Sequence, residues 1–371
     1  MSDIARYLGT PGIAMEGIEE FEAATELCRQ RGWTDGLPIV PPTAQRVEKM
    51  LAYCDRPWDE PIAAIPPRNG AATPLRLAAN AVMAGCRAEY FPLLLLVAEA
   101  MCEEPLNLYG LQTTTHPCAP LVIVNGPVAQ ELDINSGHNA FGPGWQANAT
   151  IGRAIRLALI NIGGAIPKLG DMATMGQPGK YGYLVAENES ASPWEPLHVE
   201  RGFARQSSTV TIIGAEAPHN INDHESTTAD GILKMVTGTV AVTGVNNVYY
   251  AGEPLIVFGP EHAATVAASG YTKAKVKRHI FEHATIPRSK FSEAIFERRI
   301  RAGFPERYAH AGPDEPVPVA QRADDIMVVV IGGAGKHSMF IPTFGATRSV
   351  TRALKLRDGT LARSVEDFRR A

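Results

Sequence analysis

The chain has 371 residues, 45% of them apolar and 20% charged, a composition that supports a large buried core and excludes global disorder. Its formal net charge is -4, so no basic excess recruits nucleic acid or an anionic membrane surface. Length allows roughly two to three domains.

The first helix is expected over Gly17–Arg31, where Ile18, Phe21, Ala24 and Cys28 recur at helical spacing and Gly32 suits the position after the last turn. Thr43 is placed to cap a helix reaching Cys54, and Pro61–Ile65 reads as a short strand. Thr73-Pro74 opens a helix ending near Gly85, and a second apolar helix runs from Phe91 to Cys102. The apolar run inside it is far shorter than the about 20 residues a bilayer span needs.

After Pro105 the texture changes. Apolar runs at 121–124, 209–213, 255–258 and 326–331 are each stopped by glycine, as buried strands of an α/β layer would be. Helices are expected over Trp145–Ile162, Thr227–Val242, Lys273–His283 behind Thr272, and Arg288–Arg301, with 312–319 as a linker. The fold class is therefore α/β, a mixed or parallel sheet with flanking helices. Residues 1–104 form a helical N-terminal part, and residues 105–371 form the α/β body. Pro120-Leu-Val-Ile-Val-Asn-Gly-Pro127 parallels Pro254-Leu-Ile-Val-Phe-Gly-Pro260, which reads equally as internal strand–turn–helix duplication or as convergent turn chemistry.

Ligands of open α/β sheets bind beyond the carboxyl ends of strands, so the residues after each strand carry the candidates. After the strand at 209–213 come Glu216, His219, Asn220, Asn222, Asp223 and His224 within one short segment. Imidazole beside carboxylate suits acid–base work or a divalent metal held by His219 and His224, although Asp223 serves equally as a helix cap. After the last strand, Gly332-Gly333-Ala334-Gly335-Lys336-His337 lets backbone N–H groups meet an anion, with Gly333, Lys336 and His337 as ligand contacts; the alternative is a plain tight turn. It lacks the G-x-x-x-x-G-K-[ST] spacing of a nucleotide phosphate loop. The Gly-rich stretch 135–144 reads better as a simple loop, with Asn148 on the helix behind it a further candidate ligand contact. His116 and Cys118 put an imidazole and a thiol before a core strand, with His116 a catalytic candidate, and Cys86 sits beside Arg87, which would favour its thiolate.

The five cysteines, Cys28, Cys54, Cys86, Cys102 and Cys118, contain no C-x-x-C pair, which argues against disulfides and for a reducing, cytoplasmic setting. Met1-Ser2-Asp3-Ile4 shows no leader pattern.

At Trp33-Thr-Asp35-Gly-Leu-Pro38-Ile-Val-Pro-Pro-Thr43 the chain resembles a bacterial family bearing W-T-D-G-L-P-x-x-P-P-T, whose members accompany UGSC-motif selenoproteins. Blocks at 80–87, 142–153, 176–181, 187–189, 192–198 and 218–220 also look like it. The resemblance places Asp35, Cys86, Asn148, Glu187, His198 and His219 inside matching blocks. It implies no reaction, and with neither U-G-S-C nor C-G-S-C here, a redox role would need a partner protein or a single thiol such as Cys86.

The function expected from these residues is a small-molecule enzyme acting on a polar or anionic metabolite. His and carboxylate groups would drive hydrolysis or elimination, with or without a divalent metal. Thiol chemistry at Cys86 and a non-catalytic ligand-binding module are the alternatives. The expected assembly is a homo-oligomer without nucleic-acid or membrane partners.

Overall fold

The computed structural model of the chain describes residues 19–369. Gly17 and Ile18 of the first expected helix, and the Met1–Ile4 leader reading, lie outside them.

The N-terminal helices are α1 (Glu19–Gln30) and α2 (Ala44–Leu51), followed by an antiparallel ribbon of β1 (Ala63–Ile65) and β2 (Gly70–Ala72). Helix α3 (Pro74–Ala84) starts where Thr73 accepts the Arg76 N–H, and it stops at Gly85, whose φ of 87° is costly for a residue with a Cβ. Helix α4 spans Phe91–Ala100. Strand β3 (Ala119–Asn125) leads to helix α5 (Gln146–Asn161), then β4 (Leu184–Ala186), β5 (Thr209–Ala215) and β6 (His219–Asn222). Helix α6 (Ala229–Val240) precedes β7 (Leu255–Phe258), α7 (Pro260–Ala268) and α8 (Lys273–His283). The chain closes with β8 (Thr285–Pro287), β9 (Pro316–Pro318), β10 (Met327–Val330), β11 (His337–Ile341) and β12 (Val350–Ala353).

The α/β class is as expected, with two mixed sheets in place of one. The first has strand order β12-β5-β3-β4 and the second β6-β11-β7-β10. Each has the same pairing pattern. A central antiparallel pair, β3/β5 or β7/β11, carries a parallel neighbour on one side, β4 or β10. On the other side it carries an antiparallel edge strand, β12 or β6. Strand β6 leaves the first half of the chain to edge the second sheet, and β12 returns to edge the first.

Side-chain alternation sets the layers. Leu121, Ile123 and Ile213 of the first sheet share one buried cluster with Val257, Val329 and Ile341 of the second, so the sheets pack face to face. Val122, Val124, Val210 and Ile212 point the other way, into a core with α3, α4 and α5. Ile256, Phe258, Val328 and Phe340 face α6, α7 and α8. The result is four layers, helix–sheet–sheet–helix. The helical segment before residue 105 is the outer layer of the first sheet and shares its core.

Three local expectations are corrected. Residues 288–301 do not form one helix. A 3₁₀ turn over Arg288–Lys290 ends in extended Phe291, Ser292 caps a fresh turn, and a π-helical stretch Phe296–Arg301 follows. The supposed linker 312–319 contains β9, which pairs with β8. The polar segment 214–224 is not one loop, because His219–Asn222 is a strand. Among the described residues, no helix is long and apolar enough to cross a membrane.

Candidate active site

Strands β7 and β10 are parallel, so their carboxyl ends, Phe258 and Val330, open on the same side. Both chains turn there through glycine. Gly259 begins the entry to α7, and Gly332 and Gly335 take φ of 119° and 135° on the way to β11. A crevice of about 440 Å³ lies beyond these ends, floored by Gly332 and Gly333 and walled by the 137–142 loop. Its polar lining includes the His138 and His337 rings and the Ser338 residue, whose hydroxyl turns to His262. A Cβ at position 333 would fall 2.2 Å from the His138 ring, so the ring would have to turn for any other residue to stand there. The Gly335 N–H donates to the Glu261 carboxylate at 2.7 Å, so this loop already holds an anionic group.

Two strand ends bring the imidazoles together. The first pair of the β6–β11 ladder matches His337 with Asn222, which sets His224, two residues on, beside His337. Their Nε2 atoms are 3.1 Å apart. His337 Nδ1 lies 3.0 Å from Asn220 Oδ1, so Nδ1 carries the proton and donates to the amide oxygen. The His337 Nε2 lone pair then accepts from His224 Nε2–H. Lys336 donates to the His224 carbonyl at 2.9 Å, which fixes the backbone behind the ring and directs the ammonium to a protein oxygen.

Behind the crevice wall sits a buried Ser–His pair. His262 Nε2 donates to the Asp223 carbonyl at 3.0 Å, and its Nδ1 accepts from the Ser338 hydroxyl at 2.9 Å. The Gly259 N–H donates to the same Ser338 oxygen. This is the geometry that orients a hydroxyl and draws off its proton. Sequence reading assigned none of His138, His262 and Ser338. The signals were present, because His262 follows the repeated Gly-Pro turn and His138 lies in the glycine-rich stretch taken for a simple loop.

Other expected residues fall elsewhere. Strand β6 separates the polar segment into two ends. At one end Glu216 pairs with His116 at 2.7 Å, and His116 stacks on Phe344 with ring centroids 5.4 Å apart. His219 is exposed opposite Phe340, three ladder steps from the His337 pairing, or about 10 Å at 3.4 Å per residue. Asp223 caps the following turn, accepting the Glu225 and Ser226 N–H groups. Burial raises its carboxyl, but these hydrogen bonds outweigh that and hold it below the usual value. Strands β5 and β10 belong to different sheets, so the loops after residues 213 and 331 are not neighbours on one sheet.

Asn148 is buried and fully used. Its Oδ1 accepts the Asn135 N–H at 2.8 Å, and its Nδ2 donates to the Asn135 and Leu184 carbonyls. It fixes the loop that walls the crevice. Cys86 is a poor nucleophile as placed. Burial pushes its thiol up to about 12, and Thr150 and Arg153 offset only part of that. Arg87 donates instead to Gln146 at 3.0 Å. All five cysteines are free.

Among the described residues, no three His, Cys, Asp or Glu side chains gather into a metal-binding group. His224 and His337 supply two nitrogens, one short of the three protein ligands usual at a catalytic zinc, and His219 does not join His224. The residues present do not fit the divalent metal expected at His219 and His224. Glu187 lines a second crevice, at the ends of β3 and β4, and His198 is fully buried 3.8 Å from Glu189, another of its lining residues. No protein-family model matches the chain, and no curated protein matches it.

Proposed function

We propose that the chain is an enzyme that hydrolyses a small polar or anionic metabolite, or eliminates a group from it, in the crevice beyond β7 and β10. The observation that carries this reading is the His224–His337 contact at 3.1 Å beside a glycine-floored cavity. Hydrogen bonding gives the two rings different tasks. When water or substrate enters between the rings and replaces their mutual hydrogen bond, the freed His337 Nε2 lone pair takes a proton from it. His224, carrying a proton on Nε2, returns one to the leaving group. Imidazole suits both steps because its unperturbed pKa lies near neutral pH. Kinship with the W-T-D-G-L-P-x-x-P-P-T family is proposed on the motif blocks alone and assigns no reaction.

A turnover screen against small carboxylate and phosphate esters and hydroxy acids, followed by proton NMR, tests this. His337→Ala and His224→Ala should each lower the rate about a hundredfold or more, the usual loss for an acid–base group. Cys86→Ser should leave it unchanged. Near-normal turnover in the folded double histidine variant would remove these rings from the reaction.

A further inference from the structure

Strands β3 and β4 are parallel like β7 and β10, and they too end in a crevice, of about 270 Å³. Corresponding positions repeat across the two sites. A Cβ at Gly126 would meet the Ser207 carbonyl oxygen at 2.3 Å, as one at Gly259 would meet that of His337 at 2.2 Å. The Ser208 hydroxyl accepts the Val128 N–H here, as Ser338 accepts Gly259 N–H there. The partition is shared as well, since Asn188 donates to the carbonyls of Val330 and Gly332.

The side chains differ. Where the first crevice has imidazoles, this one has Glu187 and Glu189. Asn125 Nδ2 donates to both carboxylates, at 2.7 and 3.0 Å. Glu187 is 4% exposed, and its Oε2 also accepts the Leu197 N–H. Its other oxygen, Oε1, is buried and accepts nothing. Asn125 Oδ1 is likewise buried without a partner. His198, fully buried, faces the Arg205 carbonyl with Nε2, which must therefore carry the proton. Its Nδ1 is then a lone pair, buried and unbonded, 3.8 Å from Glu189 Oε1. The three unpartnered atoms are all acceptors. Leaving buried acceptors and a buried carboxylate unmatched is costly, and a donor-rich cation satisfies both. Lys273, the cation whose field reaches Glu187, lies 3.2 Å from Glu200 Oε2, though its Nζ makes no hydrogen bond. Burial pushes the Glu187 carboxyl upward, against the lowering field of Lys273 and the hydrogen bonds of Leu197 and Asn125.

We propose that this second crevice binds a small primary ammonium group, presented by a ligand no larger than a short amine or an amino acid. An –NH₃⁺ group offers three donors and no acceptor, the complement of the set described. The inference stands apart from the reaction proposed above. Titration calorimetry on the full chain, with ethylammonium chloride, L-alanine and sodium acetate at matched ionic strength, tests it. Ethylammonium should bind saturably and acetate should not; tighter L-alanine would assign an amino acid, with Arg205 beside its carboxylate. Glu187→Gln and Glu189→Gln should each weaken ammonium binding at least tenfold. Glu189 is 25% exposed in its side chain, so its variant keeps the test open if Glu187→Gln fails to fold. No saturable ammonium binding by the folded wild type, or equal binding in folded variants, overturns the proposal. So does a crystal grown in ethylammonium with water alone on Glu187 Oε1.

Discussion

Asp35, at the centre of the Trp-Thr-Asp-Gly-Leu-Pro block, is a clamp and not a reactive acid. Its two oxygens accept a fork of hydrogen bonds from Arg153 on α5, both at 2.8 Å, and Arg153 also donates to the Pro38 carbonyl. The Asn161 amide holds the Trp33 carbonyl on the same helix. Burial alone would raise the Asp35 carboxyl, but Arg153, the Leu37 N–H and Thr34 more than reverse this and lower it. A depressed folded-state pKa stabilises the fold above the unfolded carboxylate value near 3.9 and is lost as pH falls through the folded value. Asp35→Asn leaves the partly exposed Arg153 guanidinium without its counter-charge, holding only the Pro38 carbonyl, and should cost about 2 kcal/mol at neutral pH. Urea unfolding of both proteins checks this, and the gap should narrow in strong acid; a gap constant with pH would deny the ion pair. The sequence marked Asp35 as belonging to a specific block but could not give its role, because its partner lies 118 residues away.

At the scale of elements, legibility followed burial. Strands β3, β5, β7 and β10 were readable because both faces are covered and their sequences are continuous apolar runs. Strand β6 was not, because it is a sheet edge with three of its four residues exposed, and its polar side reads as a loop. That misreading grouped Glu216, His219 and His224, which the strand holds apart. The strand-end glycines carry a sharper expectation. An added Cβ at Gly259 or Gly126 meets a backbone carbonyl that cannot swing aside, so Gly259→Ala and Gly126→Ala should each destabilise by about 3 kcal/mol. The atoms nearest a Cβ at Gly333 all belong to the His138 ring, which can rotate away. Gly333→Ala should therefore keep the melting temperature within a few degrees while displacing His138 from the crevice. Equal thermal loss in all three variants would show that these glycines do not differ in this way.

Over the whole molecule, two sheets of one pairing pattern are packed face to face, and each opens a crevice at the ends of its parallel strands. The helical layers were legible from their caps, Thr43, Thr73 and Thr272 among them. The split into two sheets was not, because no local pattern says which edge a strand will join. The crevice chemistry follows from that exchange: β6 crosses to the second sheet and carries Asn220 and His224 to His337. His138 and His337 line the crevice and His224 lies against His337, and the proposed reaction requires that an anion bound there reach all three rings. Imidazole proton–nitrogen NMR of the full chain, titrated with inorganic phosphate, tests it most directly. The account predicts that these three rings shift together along one saturation curve, while the exposed His219 and His310 stay fixed. A response at His219 equal to theirs, or none at the three, would contradict it.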